Sequence, residues 1–176
     1  MNSPAAQISV LAGKRFACVK IKGRANFTSS IAFNSLVTQL HERGFTYFVI
    51  ELSECSLMDS TFLGALAGFG LKTVPGSGEP STHCVELRNT NARIVELLEN
   101  LGVLHLFKTS EGELASPEIL EACAYQPVES SREDLTRACL EAHELLMAIN
   151  PENVARFKDV TKFLAEDLSR LTGEKP

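Results

Sequence analysis

Apolar positions in the first hundred residues fall into short runs whose period switches between two and about 3.6, the mark of strands alternating with helices. Residues 7–11 and 16–21 flank the turn Ala12-Gly13-Lys14. Phe16, Cys18 and Lys20 share one face there and Val19 and Ile21 the other, which predicts a β-hairpin. Ile31, Phe33, Leu36, Val37 and Leu40 then lie near helical spacing, with Thr28 or Ser29 placed to cap the helix and Gly44 to end it. Residues 45–52, FTYFVIEL, are too apolar to alternate and read as a central strand covered on both faces.

After a loop over 53–59, residues 61–71 predict a second helix. Phe62, Leu63, Leu66 and Phe69 are its bulky positions, and Gly64, Gly68 and Gly70 allow close approach to a sheet. A turn at 75–80, a strand at 83–87, a helix at 91–101 and a short closing strand at 104–107 follow. Alternation of this kind implies parallel crossovers, hence an α/β layer with helices packed on a mixed sheet.

The pattern changes beyond residue 112, dividing the chain into a first domain over 1–112 and a helical extension over 113–176. A short helix is expected at 117–124 and a break at Pro127. Ser131 then opens a capping signature before a stripe of Leu135, Ala138, Cys139, Ala142, Leu146 and Ile149. Asn150-Pro151 opens a last helix with Val154, Phe157, Leu164, Leu168 and Leu171 on its stripe. Two such helices form a hairpin that cannot bury both stripes alone. It must pack on the first domain, on a second copy in a homodimer, or on a partner.

Composition narrows the function. A hydrophobic share of 44% with 22% charged residues suits a globular protein, and no apolar run nears the roughly 20 residues of a membrane span. The N-terminal residues lack a basic start and an apolar stretch, so the cytoplasm is the expected compartment. The five cysteines are spread without a metal-ligand spacing and read as small buried apolar groups. A net charge of -5 and scattered basic residues argue against nucleic acid as a partner.

The most informative stretch is 48–66, FVIELSECSLMDSTFLGAL: a hydrophobic strand, a short loop, then Asp59-Ser60 at the start of a helix. It resembles the signature of the STAS family, named for sulfate transporters and anti-sigma factor antagonists. The resemblance extends over about 7–107, including the Gly23 turn, the helix at 93–101 and the closing Gly102-Val103-Leu104-His105-Leu106-Phe107, and leaves out the C-terminal helices. In the antagonist branch of that family the serine after the aspartate is phosphorylated by an anti-sigma factor with serine kinase activity, and only the unphosphorylated form captures that factor. The resemblance therefore implies Ser60 as phosphoacceptor and Asp59, Ser60, Thr61, Phe62 and Asn26 as the partner-binding set. It also implies a Ser/Thr phosphatase as a further partner and a role without catalysis or cofactor. Two positions depart from the family: Thr61-Phe62-Leu63 stands where Ser/Thr-Gly-Leu is common, and Asn26 where antagonists often carry aspartate.

The chemistry of the position is coherent in itself. A serine in the first turn of a helix meets unpartnered N–H groups and a dipole that favours negative charge, so phosphate is tolerated there. A phosphoryl group adds about -1.5 to -2 charges and would repel a docked surface, the more so beside Asp59. Plain helix capping by Asp59 and Ser60 is the competing reading. Thr61 is a second candidate acceptor. A scaffold or accessory role, with Ser60 unmodified and the hairpin used for oligomerisation or docking, is the alternative function. A further expectation is that the hairpin covers the Ser60 surface and inhibits it. His41, His83, His105 and His143 show no ligand spacing, and Gly70-Leu71-Lys72-Thr73 lacks the order of a phosphate-binding loop.

Overall fold

The computed structural model describes residues 4–14, 16–73, 84–115, 120–124, 126 and 128–173. Strands β1 (Gln7–Ala12) and β2 (Phe16–Ala25) form the expected antiparallel hairpin. Helix α1 (Phe27–Glu42) follows, then β3 (Tyr47–Glu51), β4 (Cys55–Met58), α2 (Ser60–Lys72), β5 (Val85–Arg88) and α3 (Ala92–Asn100). Strands β6 (Lys108–Ser110) and β7 (Glu121–Ala122) precede the long helices α4 (Arg132–Ile149) and α5 (Val154–Thr172). The sheet runs β6-β5-β3-β2-β1-β7, with β4 pairing beside β2. Pairings among β2, β3, β4, β5 and β6 are parallel, and those of β1 with β2 and β7 are antiparallel.

Local chemistry accounts for several boundaries that differ from expectation. Asn26 caps α1 instead of Thr28 or Ser29: its side chain accepts from the Ser29 N–H while the Ser29 hydroxyl takes the Asn26 N–H, a reciprocal box. The loop expected over 53–59 contains β4, in which Cys55, Leu57 and Met58 find parallel partners on the far end of β2. Residues 104–106 form a 3₁₀ turn, and the closing strand lies just beyond it at β6. Within the helix expected at 117–124, the described residues 121–122 instead pair with β1 as β7. The turn at 75–80 and His83 lie outside the described residues.

Registers set the two faces of the sheet. Ala17, Val19 and Ile21 of β2, Phe48 and Ile50 of β3, and Val85 and Leu87 of β5 belong to one buried core. Phe33 of α1 and Phe62 and Phe69 of α2 join it: Phe33 lies 5.0 Å from Phe62 and Phe48 lies 4.9 Å from Phe69 between ring centres. On the second face Cys18, Val49 and Glu86 lie side by side and are buried, so β3 is covered on both faces as expected, with a polar cluster next to it. Glu86, only 3% exposed, accepts from Tyr47 Oη at 2.5 Å, from Arg88 at 2.7 Å and from Ser110 Oγ. Arg88 also donates to the carbonyls of Glu111, Gly112 and Glu113, tying that segment to the sheet.

The α4–α5 hairpin packs back on this body. Leu146 of α4 is fully buried and belongs to the same core as the sheet residues, with Ile149 and Phe157 partly buried against it. At the turn, Asn153 is fully buried and donates to the carbonyls of Leu101 and Leu146 at 2.9 and 2.8 Å. Gly102, with φ +71, ends α3 and is packed by Asn150; a Cβ there would come within 2.7 Å of the Asn150 amide. Residues expected on the α5 stripe divide: Phe157, Leu164 and Leu168 are half-buried, while Val154 and Leu171 are exposed.

Candidate functional site

The site is built where two helix N-termini meet. Asp59 caps α2, its Oδ1 accepting the Phe62 N–H at 2.8 Å, and its Oδ2 accepts the N–H of Phe27, the first residue of α1, at 2.7 Å. One carboxylate therefore satisfies orphan donors of both helices, where the dipoles favour its charge. Asn26 stands at the start of α1, its Oδ1 held by the Thr28 hydroxyl at 2.6 Å. Asn26 and Asp59 are thus brought together as caps of neighbouring helices.

Ser60 opens α2 and is half-buried. Its Oγ lies 2.9 Å from Nε2 of His143 on α4, 83 residues away in sequence. Nδ1 of His143 lies 2.7 Å from the carbonyl oxygen of Cys139, one turn earlier. A carbonyl only accepts, so Nδ1 carries a proton, and in the neutral ring Nε2 is the acceptor to which Ser60 donates. The imidazole is buried and lies against Phe157, 4.7 Å between ring centres.

The contact between α2 and α4 continues along both helices. Thr61 is buried and donates to Cys139 Sγ at 3.5 Å. Burial pushes the Cys139 thiol up, the Thr61 hydrogen bond opposes this and the Asp59 charge adds to it, so the sulfur stays a neutral thiol. Gly64 meets Ala142 so closely that a Cβ on it would come 2.7 Å from both the Ala142 Cβ and its carbonyl oxygen. Gly68 faces Leu145 in the same way, at 3.1 Å. These two glycines admit α4, not the sheet as the sequence suggested; Gly70 faces Phe107.

Phe62, expected at the docking edge, is fully buried in the aromatic cluster with Phe33, so it is withdrawn from any partner's reach. His143, Cys139 and Ala142 belong to the site only through the packing of α4 on α2. The signal for His143 was a polar ring on the apolar stripe of α4, between Ala142 and Leu146 and four residues after Cys139.

A serine hydroxyl hydrogen-bonded to an oriented imidazole has the geometry of a nucleophile and its base. Here α4 itself lies on the pair. A groove of about 340 Å³ between α1, α2 and α4 is walled by Asn34, Thr38, Gly64, Gly68 and Leu145, and neither Ser60 nor His143 lines it. The arrangement is a latch between two helices.

Among the described residues no group of three or more His, Cys, Asp or Glu side chains could hold a metal ion. Among the same residues no helix is long and apolar enough to cross a membrane.

No family model and no curated protein matches the chain in sequence. Among solved structures it is similar to the anti-sigma factor antagonist SpoIIAA in its unphosphorylated form, at 13% identity and a TM-score of 0.45, over 63% of this chain and 90% of that one. It is also similar to a Thermotoga maritima protein assigned as an anti-sigma factor antagonist, at 15% identity and a TM-score of 0.49, over 58% of this chain and 86% of the other.

Proposed function

We propose that the chain is a cytoplasmic, non-catalytic regulatory module, an anti-sigma factor antagonist whose partner docks on the N-terminal end of α2 and whose binding is set by phosphorylation of Ser60. The observation that carries this reading is the occupant already present: the Ser60, Thr61, Gly64 and Gly68 face of α2 receives a helix of the same chain in near backbone contact. A face that takes one helix at this distance is shaped to take another. Ser60 stands at the helix terminus where a phosphoryl group finds free N–H groups, next to Asp59, whose charge adds to its repulsion of a docked surface. The resemblance of residues 48–66 to the STAS signature supplies the class of partner, an anti-sigma factor with serine kinase activity, and a phosphatase to reset the site.

The reading is tested with tagged wild-type chain and the Ser60→Ala and Ser60→Asp variants, expressed in cells that make the protein. Ser60→Ala should retain a co-purifying kinase-like protein that Ser60→Asp loses. The same set of proteins on all three would sink the reading.

One observation favours a second role, that of an accessory scaffold. The Ser60 hydroxyl is already committed to His143, while Phe163 on the outer side of α5 is 61% exposed and Val160 beside it is exposed too. In that role the outer side of α5 would join two copies, and Phe163→Glu would halve the mass measured by light scattering.

A further inference from the structure

We infer that phosphorylation of Ser60 and docking of the α4–α5 hairpin exclude each other: the hairpin is a displaceable cover over Ser60, and a phosphoryl group on Ser60 releases it. The inference rests on the reading of Ser60 as a modified residue, and it adds a consequence of modification that lies within this chain.

The geometry leaves no room for both. Ser60 Oγ already stands at hydrogen-bond distance, 2.9 Å, from His143 Nε2. The outer oxygens of a phosphoryl group need that same distance for themselves, so the imidazole must retreat by the depth of the group. The ring cannot turn aside in place, because Nδ1 is held by the Cys139 carbonyl and its face lies on Phe157. It retreats only if α4 retreats. At the next turn, Gly64 and Ala142 are in contact without a spare methyl's width. A close-packed helix pair of this kind does not open by a fraction; it holds or it parts. Thr61 is bonded to Cys139 on the same stretch of α4, so the latch residues move as a unit.

The cover is also separable from the body it covers. It is held through one face of α4, through Leu146 with Ile149 and Phe157 against the core, and through Asn153 in the turn and Arg156 in the first turn of α5, which bond the carbonyls of Leu101 and Asn100 at the end of α3. Among the described residues no strand of the sheet comes from it. A kinase that must reach the Ser60 hydroxyl meets α4 first, so the closed hairpin slows modification. Once modification has occurred, it holds the cover open.

The test uses the full chain with phosphoserine installed at position 60 during synthesis, beside wild type and Gly64→Ala, a substitution that drives a Cβ into Ala142 without touching Ser60. Amide exchange is read along Arg132–Ile149, and the alkylation rate of Cys139 by peptide mass. Both should rise at least tenfold in the phosphoserine chain and in Gly64→Ala, with β2 and β3 as protected as in wild type. Wild-type protection of α4 in the phosphoserine chain overturns the inference, since the phosphoryl group then swings clear of His143. Loss of protection through β2 and β3 together with α4 overturns it too, since the hairpin is then part of one cooperative body. Because the phosphoryl group is installed directly, a failure to find Ser60 phosphate or a partner in cells bears on the proposed function and leaves this result unaffected.

Discussion

Ser60 and His143, 83 residues apart in the chain, are joined by a 2.9 Å hydrogen bond across two helices. The imidazole fills three roles at once: hydrogen-bond partner of Ser60, donor to the Cys139 carbonyl and packing surface for Phe157. His143→Ala should therefore loosen the hairpin, leaving a half-buried hydroxyl without its partner at a cost of about 1–3 kcal/mol. Urea unfolding should show the loss, and Cys139 should alkylate faster than in wild type. Unchanged alkylation would mean that the latch lies elsewhere along α4.

Gly64 offers a sharper test of the helix contact. In an open helix Gly→Ala stabilises by about 1 kcal/mol, yet here the added methyl meets Ala142 and overpacking costs about 1–3 kcal/mol. Gly64→Ala should destabilise the wild-type chain, and an Ala142→Gly background should recover only part of the loss, since the Ala142 carbonyl oxygen stands as close to the added methyl as its Cβ does. A double-mutant cycle on denaturation midpoints should return a coupling of about 1 kcal/mol or more. Additive effects would separate the two residues.

Asp59 is expected to matter for structure before it matters for any partner. Its two oxygens hold the first turns of α1 and α2, so Asp59→Ala should cost about 2–3 kcal/mol, measured as a lowered unfolding midpoint. Asp59→Asn keeps one acceptor and should lose less. A partner-binding defect in Asp59→Ala is thus interpretable only beside that stability measurement.

Acid should find the polar cluster on the sheet. Burial pushes the Glu86 carboxyl up, but hydrogen bonds from Ser110, Tyr47 and Arg88, with the charge of Arg88, outweigh it and hold the group at about 2. Its pKa is lower folded than unfolded, so its stabilisation is complete above the ordinary value of about 4.3 and disappears as pH falls towards 2. Denaturation midpoints taken from pH 6 to 2.5 should fall more steeply in wild type than in Glu86→Gln. The variant should be the less stable protein at neutral pH, because Arg88 loses its ion-pair partner.

How much of this could be read from sequence depends on how local each signal is. Ser131 with Asp134, Asn150 with Pro151 and Gly44 announce helix boundaries within a few residues, and the structure keeps them. Strand β4 has only Cys-Ser-Leu-Met to show, with a polar stretch before it, and exists because β2 extends far enough to pair with it. Phe62 reads as a ring at a docking edge until the packing of Phe33 is known. The polar cluster beside Val49 depends on Glu86, Arg88 and Ser110, supplied from β5 and β6. The latch was the least legible part. His143 stood among four scattered histidines, and only the fold of the hairpin onto α2 brings it to Ser60. Two apolar stripes need a surface to cover, and that of α4 lies over Ser60 and Gly64.

The central claim is that Ser60 is a regulated position, and the most direct measurement is the occupancy of phosphate on the peptide that carries it. The full chain would be purified from growing and from stressed cells that make it, under phosphatase inhibition, and digested for mass spectrometry with fragment ions that separate Ser60 from Thr61. The account expects phosphate on Ser60, changing between the two conditions and absent from Ser60→Ala. Complete peptide coverage with Ser60 unmodified in every condition would contradict it, and the scaffold reading centred on α5 would take its place.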